Sequence, residues 1–210
     1  MTTDPGIDHD RVTAAIRAAE ANTSGEIYCV LARRSDDYFH PAAFSLAVSL
    51  LLVSALAAFA LESLWIGIRP LVLAGIQILA FAAAIGVVSL WPSLRIRLVS
   101  KRMRYRRAHE NAVRQFLARN IHLTRARTGV LVFVSLAERY AEIVADEGID
   151  AKVPQEAWNG IVARLLEDAR AGRLTEGYET AIAAVGALLA EHFPRRADDD
   201  NELDDHLVEI

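Results

Sequence analysis

The sequence predicts an α/β protein, a small mixed β-sheet with helices on both faces, interrupted by a two-helix transmembrane hairpin. Three observations carry this. Two apolar runs, Pro41–Leu61 and Pro70–Leu94, contain no charged residue, and each meets the roughly 20 residues that an α-helix needs to cross a bilayer's hydrocarbon core. Outside them lie three short apolar stretches of strand length. These alternate with segments whose apolar residues recur at helical spacing, an order that closes into layers around a sheet. Removing the hairpin from the 210 residues leaves about 155, enough for one domain with a modest core and too few to wrap two apolar helices in protein. The expected division is therefore 1–40 and 95–194 for the sheet domain, 41–94 for the hairpin and 195–210 for an acidic tail.

Asp8 or Asp10 can cap a first helix in which Val12, Ala15, Ile16 and Ala19 share one face, and Asn22-Thr-Ser-Gly25 stops it. Glu26–Ala32 reads as a buried strand, with Ile27, Cys29 and Leu31 on one face and Tyr28 and Val30 on the other. Beyond the hairpin, a helix from about Met103 to Asn120 carries Ala108, Ala112, Val113, Phe116 and Leu117 as its apolar stripe. Val130–Ser135 and Tyr140–Ala145 form two further strands joined by the short turn Leu136–Arg139. One helix follows from Pro154 to Arg170 and another from about Thr175 to His192. From Arg195 onward the chain is too charged to pack and is expected to be disordered.

The hairpin has its own internal logic. Ser54/Ala58 and Ala82/Gly86 are small residues four apart, which let two helices approach closely. Gln77 is the strongly polar side chain of the second helix, suited to a hydrogen bond between helices. One amide is too little polar lining for a channel or transporter. Trp65 and Trp91 suit the aromatic belts at the two membrane interfaces.

Charge sets the orientation. The formal net charge of −4 hides a strong segregation: Arg95–Arg127 holds eleven Lys or Arg and one acid, whereas Asp198–Glu209 holds seven acids. Arg95, Arg97, Lys101, Arg102, Arg104, Arg106 and Arg107 directly follow the second apolar run, while the loop between the runs offers only Arg69. Positive flanks stay inside, so the expected protein is a two-pass protein of the cytoplasmic (inner) membrane with both termini cytoplasmic. The opening MTTDPGIDHD has neither a basic nor an apolar segment, so the first hydrophobic helix itself must direct insertion. The single cysteine, Cys29, excludes an intrachain disulfide and fits a reducing compartment. The same seven cations can attract anionic lipid headgroups. Nucleic acid is not an expected partner, since few aromatics interleave the basic run.

Three stretches resemble the TPM domain family: SGEIYCVLA for its first strand, RTGVLVFVSLAERYAEIVADEGI for its central β-hairpin, and GRLTEGYETAIAAVGALLAEHF for its closing helix. The resemblance covers nearly all of the chain outside Pro41–Leu94 and implies a small α/β domain of the kind found in bacteria, chloroplasts and some animal membrane proteins. Arg127-Thr-Gly129 departs from the Asp- or Lys-Asn-Gly run of many members. For function it implies two readings. Some members are described as acid phosphatases and others as accessory or maintenance factors for membrane protein complexes; members that bind a divalent cation through acidic loop residues also exist.

The usual catalytic signatures are absent from the sequence. Its glycines are scattered singly, and its six histidines include no pair at zinc-site spacing. What remains is placement. Open α/β sheets receive ligands beyond the carboxyl ends of their parallel strands. Those ends carry Asp36, Asp37 and Glu138, carboxylates suited to a hard cation such as Mg²⁺ or Ca²⁺, which could polarise a phosphoryl group. Asp146, Glu147 and Asp150 form a rival acidic turn at the opposite edge. The favoured function is that of an interaction or accessory factor for membrane proteins or complexes, anchored in the lipid bilayer with its sheet domain on the cytosolic face, with a metal-assisted phosphatase as the alternative.

Overall fold

The computed structural model describes residues 6–67, 69–196 and 201–210. In chain order the elements are α1 (His9–Glu20), β1 (Glu26–Ala32), α2 (Phe39–Ser63), α3 (Pro70–Leu90), α4 (Pro92–Leu98) and α5 (Lys101–Ala118). A 3-10 turn at Ile121–Leu123 leads to β2 (Gly129–Ser135), β3 (Tyr140–Ala145), α6 (Glu147–Asp150), α7 (Gln155–Arg170), α8 (Leu174–His192) and β4 (Leu207–Glu209). They form two compact units, Met1–Ser35 with Tyr105–Ile210, and Asp36–Arg104.

The first unit is built on a four-stranded sheet of order β3-β2-β1-β4. β1 and β2 run parallel in register from Glu26↔Gly129 to Ala32↔Ser135, and β3 returns antiparallel to β2. Every residue of β1 and β2 is buried, which is why both read as nearly continuous apolar runs. Alternation divides them between two cores. Ile27, Cys29, Leu31, Val130, Val132 and Val134 pack beneath α1, α7 and α8, against Val12, Ile16, Trp158, Leu165, Ile182 and Val185. Tyr28, Val30, Leu131 and Phe133 meet Ala112 and Phe116 of α5 and Ile121. The predicted sandwich, with helices on both faces, is thus present. Asp8 caps α1, its carboxylate accepting from Arg11 N–H at 3.1 Å.

The acidic tail departs from its expected disorder. Of that segment, 197–200 lie outside the described residues, but Leu207–Glu209 form β4, parallel to β1 at Cys29–Leu31. Leu207 is 4% exposed, and Arg33 N–H and Leu31 C=O complete the ladder with Ile210. The acids do not repel the tail from the fold because cations receive them. Asp205 pairs with Arg17 at 3.2 Å, and Glu209 meets His9 at 2.9 Å and Arg33 at 3.3 Å. An edge strand covering β1 also removes a row of open backbone groups.

The second unit is an antiparallel pair, α2 and α3. Leu50, Ser54, Ala58 and Leu61 of α2, and Leu73, Gln77, Ala80, Ala84 and Val88 of α3, are among the less exposed positions, spaced three and four apart. The Gln77 amide donates to Ser54 Oγ at 2.9 Å, the predicted link between the helices. Gly86 is not a contact point: a methyl group built there would meet nothing within 4 Å. The second helix also ends sooner than its apolar run. Pro92 forces Trp91 into extended backbone (φ −120°, ψ 83°), so α3 stops at Leu90 and a separate helix, α4, begins.

Candidate functional site

The parallel register ends β1 and β2 side by side at Ala32 and Ser135. The chain there is stitched across: Leu136 N–H donates to Ala32 C=O at 3.0 Å and Ala137 N–H to Arg33 C=O at 3.2 Å. Glu138 folds back into this junction and is 2% exposed. Its Oε1 accepts from Ser35 N–H at 3.1 Å, its Oε2 accepts from the Ser135 hydroxyl, and Ser35 Oγ donates to Ser135 Oγ at 2.9 Å. The result is a buried polar staple between the end of β1 and the β2–β3 turn. Its hydrogen bonds offset the cost of burying a carboxyl.

Arg139 closes that turn with φ 53°, the left-handed position that glycine or asparagine fills at least cost. Arg139 N–H donates to Leu136 C=O at 3.1 Å, fixing the turn. Between the turn and the last turn of α7 lies a cleft of about 390 Å³. Val134, Leu136, Leu166 and Ala169 supply apolar walls, Ser135 and Tyr140 border it, and Arg139 and Arg170 stand at it without an acid in the lining. Among the described residues neither arginine side chain has an ion pair or hydrogen bond. Sequence reasoning found the strand ends but missed this pair, because packing of α7 against β3, not proximity in the chain, brings the two together.

The carboxylates named from sequence have structural partners. Asp36 Oδ1 accepts from Asp37 N–H at 2.7 Å, and Asp37 pairs with Arg95, all within the second unit. Glu138 belongs to the first unit, with both oxygens already accepting from serine groups. Among the described residues no three of His, Cys, Asp or Glu gather in a way that could hold a metal ion. Asp146 accepts from Glu147 N–H at 2.7 Å and caps α6 beside the start of β2, where Asp146 N–H reaches Gly129 C=O at 3.0 Å. The acidic turn is therefore at the opposite edge from Glu138, as expected.

The basic flank is also divided. Arg95 is turned inward, its guanidinium donating to Val88 C=O at 2.8 Å and Ser89 C=O at 2.9 Å, and lying 5.3 Å from the Phe39 ring. It caps α3 rather than waiting for a headgroup, satisfying carbonyls that the helix end leaves open. Arg97, Lys101, Arg102 and Arg106 are exposed, and Arg104 and Arg107 half-buried. Arg106 and Arg107 both reach Glu110, at 3.6 and 3.3 Å.

Cys29 and the Ser135 hydroxyl are both enclosed by the protein. Cys29 is fully buried and burial pushes its thiol up, the setting of an inert core cysteine. The Ser135 hydroxyl is sealed in the staple. On the other face of β3, Tyr140 donates to Glu142 at 2.9 Å and His109 Nδ1 meets the same carboxylate at 2.8 Å; burial and then the Glu142 charge hold the phenol protonated.

Fold and strand-end junction together define a small α/β domain on a mixed four-stranded sheet. The family model for the TPM domain matches residues 93–188, from the beginning of α4 into α8. Among solved structures, the NMR structure of BA42 protein from the psychrophilic bacterium Bizionia argentinensis sp. nov. shares the fold, with a TM-score of 0.60 and 18% identity, covering 100% of this chain and 98% of that chain. No curated protein matches the chain.

Proposed function

We propose that this chain is a membrane-anchored TPM-like domain on the cytosolic face of the cytoplasmic membrane, acting as an interaction or accessory factor for membrane proteins. One observation carries the anchoring. α2 and α3 have mean hydropathies of 2.4 and 2.5 over their most apolar windows, yet 0% and 6% of those windows is buried. Leu52, Leu56, Phe59, Leu71 and Leu79 all point outward. Monomeric soluble proteins rarely show contiguous apolar patches above a few hundred Å², so such a surface requires a non-aqueous cover.

The helices' polar groups support the same reading. Ser45, Ser49, Ser54 and Ser63 donate their hydroxyls to carbonyls three or four residues back, at 2.7–3.1 Å, so α2 hides its donors. At 25 and 21 residues the helices are about 37 and 31 Å long at 1.5 Å per residue, matching a hydrocarbon core of about 30 Å. Interaction is preferred to phosphoester turnover because the carboxylates a metal would need are engaged by the protein's own donors.

Alkaline carbonate extraction of membranes from expressing cells tests the anchor, with the full chain expected in the pellet. Release into the supernatant would show that the hairpin's cover is a protein partner. Crosslinking in native membranes followed by mild solubilisation is expected to capture integral membrane proteins. Saturable, Mg²⁺- or Ca²⁺-dependent hydrolysis of a chromogenic phosphate ester by the purified protein would overturn the interaction reading.

A further inference from the structure

We propose that the Arg139–Arg170 cleft is a binding site for a phosphate-type oxyanion, engaged by two guanidinium groups against an apolar wall. This goes beyond the anchoring reading and does not depend on it. Guanidinium presents a rigid fork of donors that matches phosphate oxygens in pairs, which a lysine does not. Two such groups border one cleft of about 390 Å³, within the size range of small-ligand sites, and its lining contains no carboxylate to neutralise them. Asp168, two residues before Arg170, is paired instead with Arg173.

Each arginine has an ordinary explanation to be weighed. A cation in the last turn of α7 complements the negative end of the helix dipole, and that alone could account for Arg170. It does not account for Arg139. There the backbone is left-handed, at φ 53°, where any residue with a Cβ other than Asn or Asp is disfavoured. Glycine or asparagine would fill this position at lower cost, so the turn itself does not call for an arginine there. The apolar half of the cleft, Leu136, Leu166 and Ala169, favours an oxyanion that carries an apolar substituent over a bare ion. A lipid headgroup and a free phosphate both supply the anion chemistry, and experiment separates them.

The test uses the full chain in a neutral detergent. Inorganic phosphate is titrated at constant ionic strength, with chloride as control, and binding is followed by calorimetry and by the rise in Tm that a ligand of the native state produces. In parallel, micelles doped with phosphatidic acid are compared with micelles doped with phosphatidylcholine. Saturable binding is expected for the wild type, and Arg139→Asn and Arg170→Gln should each weaken it by about tenfold or more, the loss of one charge-assisted contact. Arg139→Asn keeps the turn, because asparagine tolerates the left-handed backbone, so its unliganded Tm should not fall. A Tm shift with phosphatidic acid but not with inorganic phosphate assigns the site to a headgroup; the reverse assigns it to a soluble anion. The proposal is overturned if the wild type binds neither, or if binding persists unchanged in both variants. It is likewise overturned if Arg170→Gln lowers Tm without altering affinity, which would leave Arg170 a helix-end charge only.

Discussion

Single side chains here show how the sheet unit trades burial against charge. Glu20, at the end of α1, accepts from Ile27 N–H at 2.7 Å and so ties the helix to β1. Burial raises its pKa from 4.5 to about 8; the Ile27 hydrogen bond opposes the shift, and the neighbouring Glu26 and Asp205 carboxylates add to it. An acid whose folded pKa lies above its unfolded value binds a proton in the native state that the unfolded chain has lost. Stability should therefore be unaffected below about pH 4.5, fall as pH rises from there to about 8, and level off above. Glu20→Gln keeps an acceptor for Ile27 and removes the titration. Thermal melts across pH 5–8 should show the variant flat where the wild type declines, with a gap on the order of 1–2 kcal/mol at the alkaline end after allowance for partial solvent access. Parallel curves would remove Glu20 as the source. Gly129 offers a sharper steric case. A Cβ there would sit 2.3 Å from the Ile121 carbonyl oxygen, a backbone atom with no rotamer to retreat into. Gly129→Ala should cost about 2–4 kcal/mol in denaturant unfolding, and a loss below about 1 kcal/mol would show that the 3-10 turn can shift.

Among the elements, β4 separates what periodicity can reveal from what it cannot. Strands β1, β2 and β3 are apolar and long enough to declare themselves, and α7 and α8 carry helical stripes; each was legible to within a residue or two. β4 is three residues, Leu207–Glu209, in a run of acids, and nothing local marks it as a strand. It exists because β1 offers an open edge and because Arg17, Arg33 and His9 stand where the acids arrive. The candidate site divides in the same way. The carboxyl ends of the parallel strands followed from topology, whereas the meeting of Arg139 and Arg170 at one cleft comes from the packing of α7 against β3, which no local pattern marks. Removal of residues 201–210 should accordingly do more than shorten a solvated extension. It takes Leu207 from the core and reopens β1, for an expected loss of about 2–4 kcal/mol and greater self-association. An unchanged denaturation midpoint in the truncated protein would mean that β4 contributes no net stability.

For the molecule as a whole, the decisive question is which side of the bilayer each part occupies. On the proposed reading, two spanning helices return the chain to the side from which it left, so the sheet unit's two sequence segments and both termini would share one compartment. Charge decides which. The α2–α3 connection carries Arg69, with Glu62 in the last turn of α2, while Arg97, Lys101, Arg102, Arg104, Arg106 and Arg107 follow α3 closely in sequence. Even with Arg95 turned inward as a helix cap, that leaves six cations against one. Lys and Arg within about 15–20 residues of a membrane segment are retained in the cytosol, so the connection should be exported and the sheet unit kept inside. The protein is well suited to a labelling test, because its own cysteine, Cys29, is fully buried and should be silent to a bulky impermeant maleimide. Ser63→Cys, at an exposed position on the last turn of α2, should react on intact cells. Asn22→Cys, exposed on the sheet unit, should react only after lysis. The opposite pattern would invert the topology and place the Arg139–Arg170 cleft outside the cytosol. Reaction of both on intact cells would deny the hairpin a spanning role altogether. Replacing Arg97, Lys101 and Arg102 by Ala while adding three lysines to the α2–α3 connection should move part of the population to the inverted labelling pattern, since the charge difference is then reversed or nearly cancelled at both ends of the hairpin.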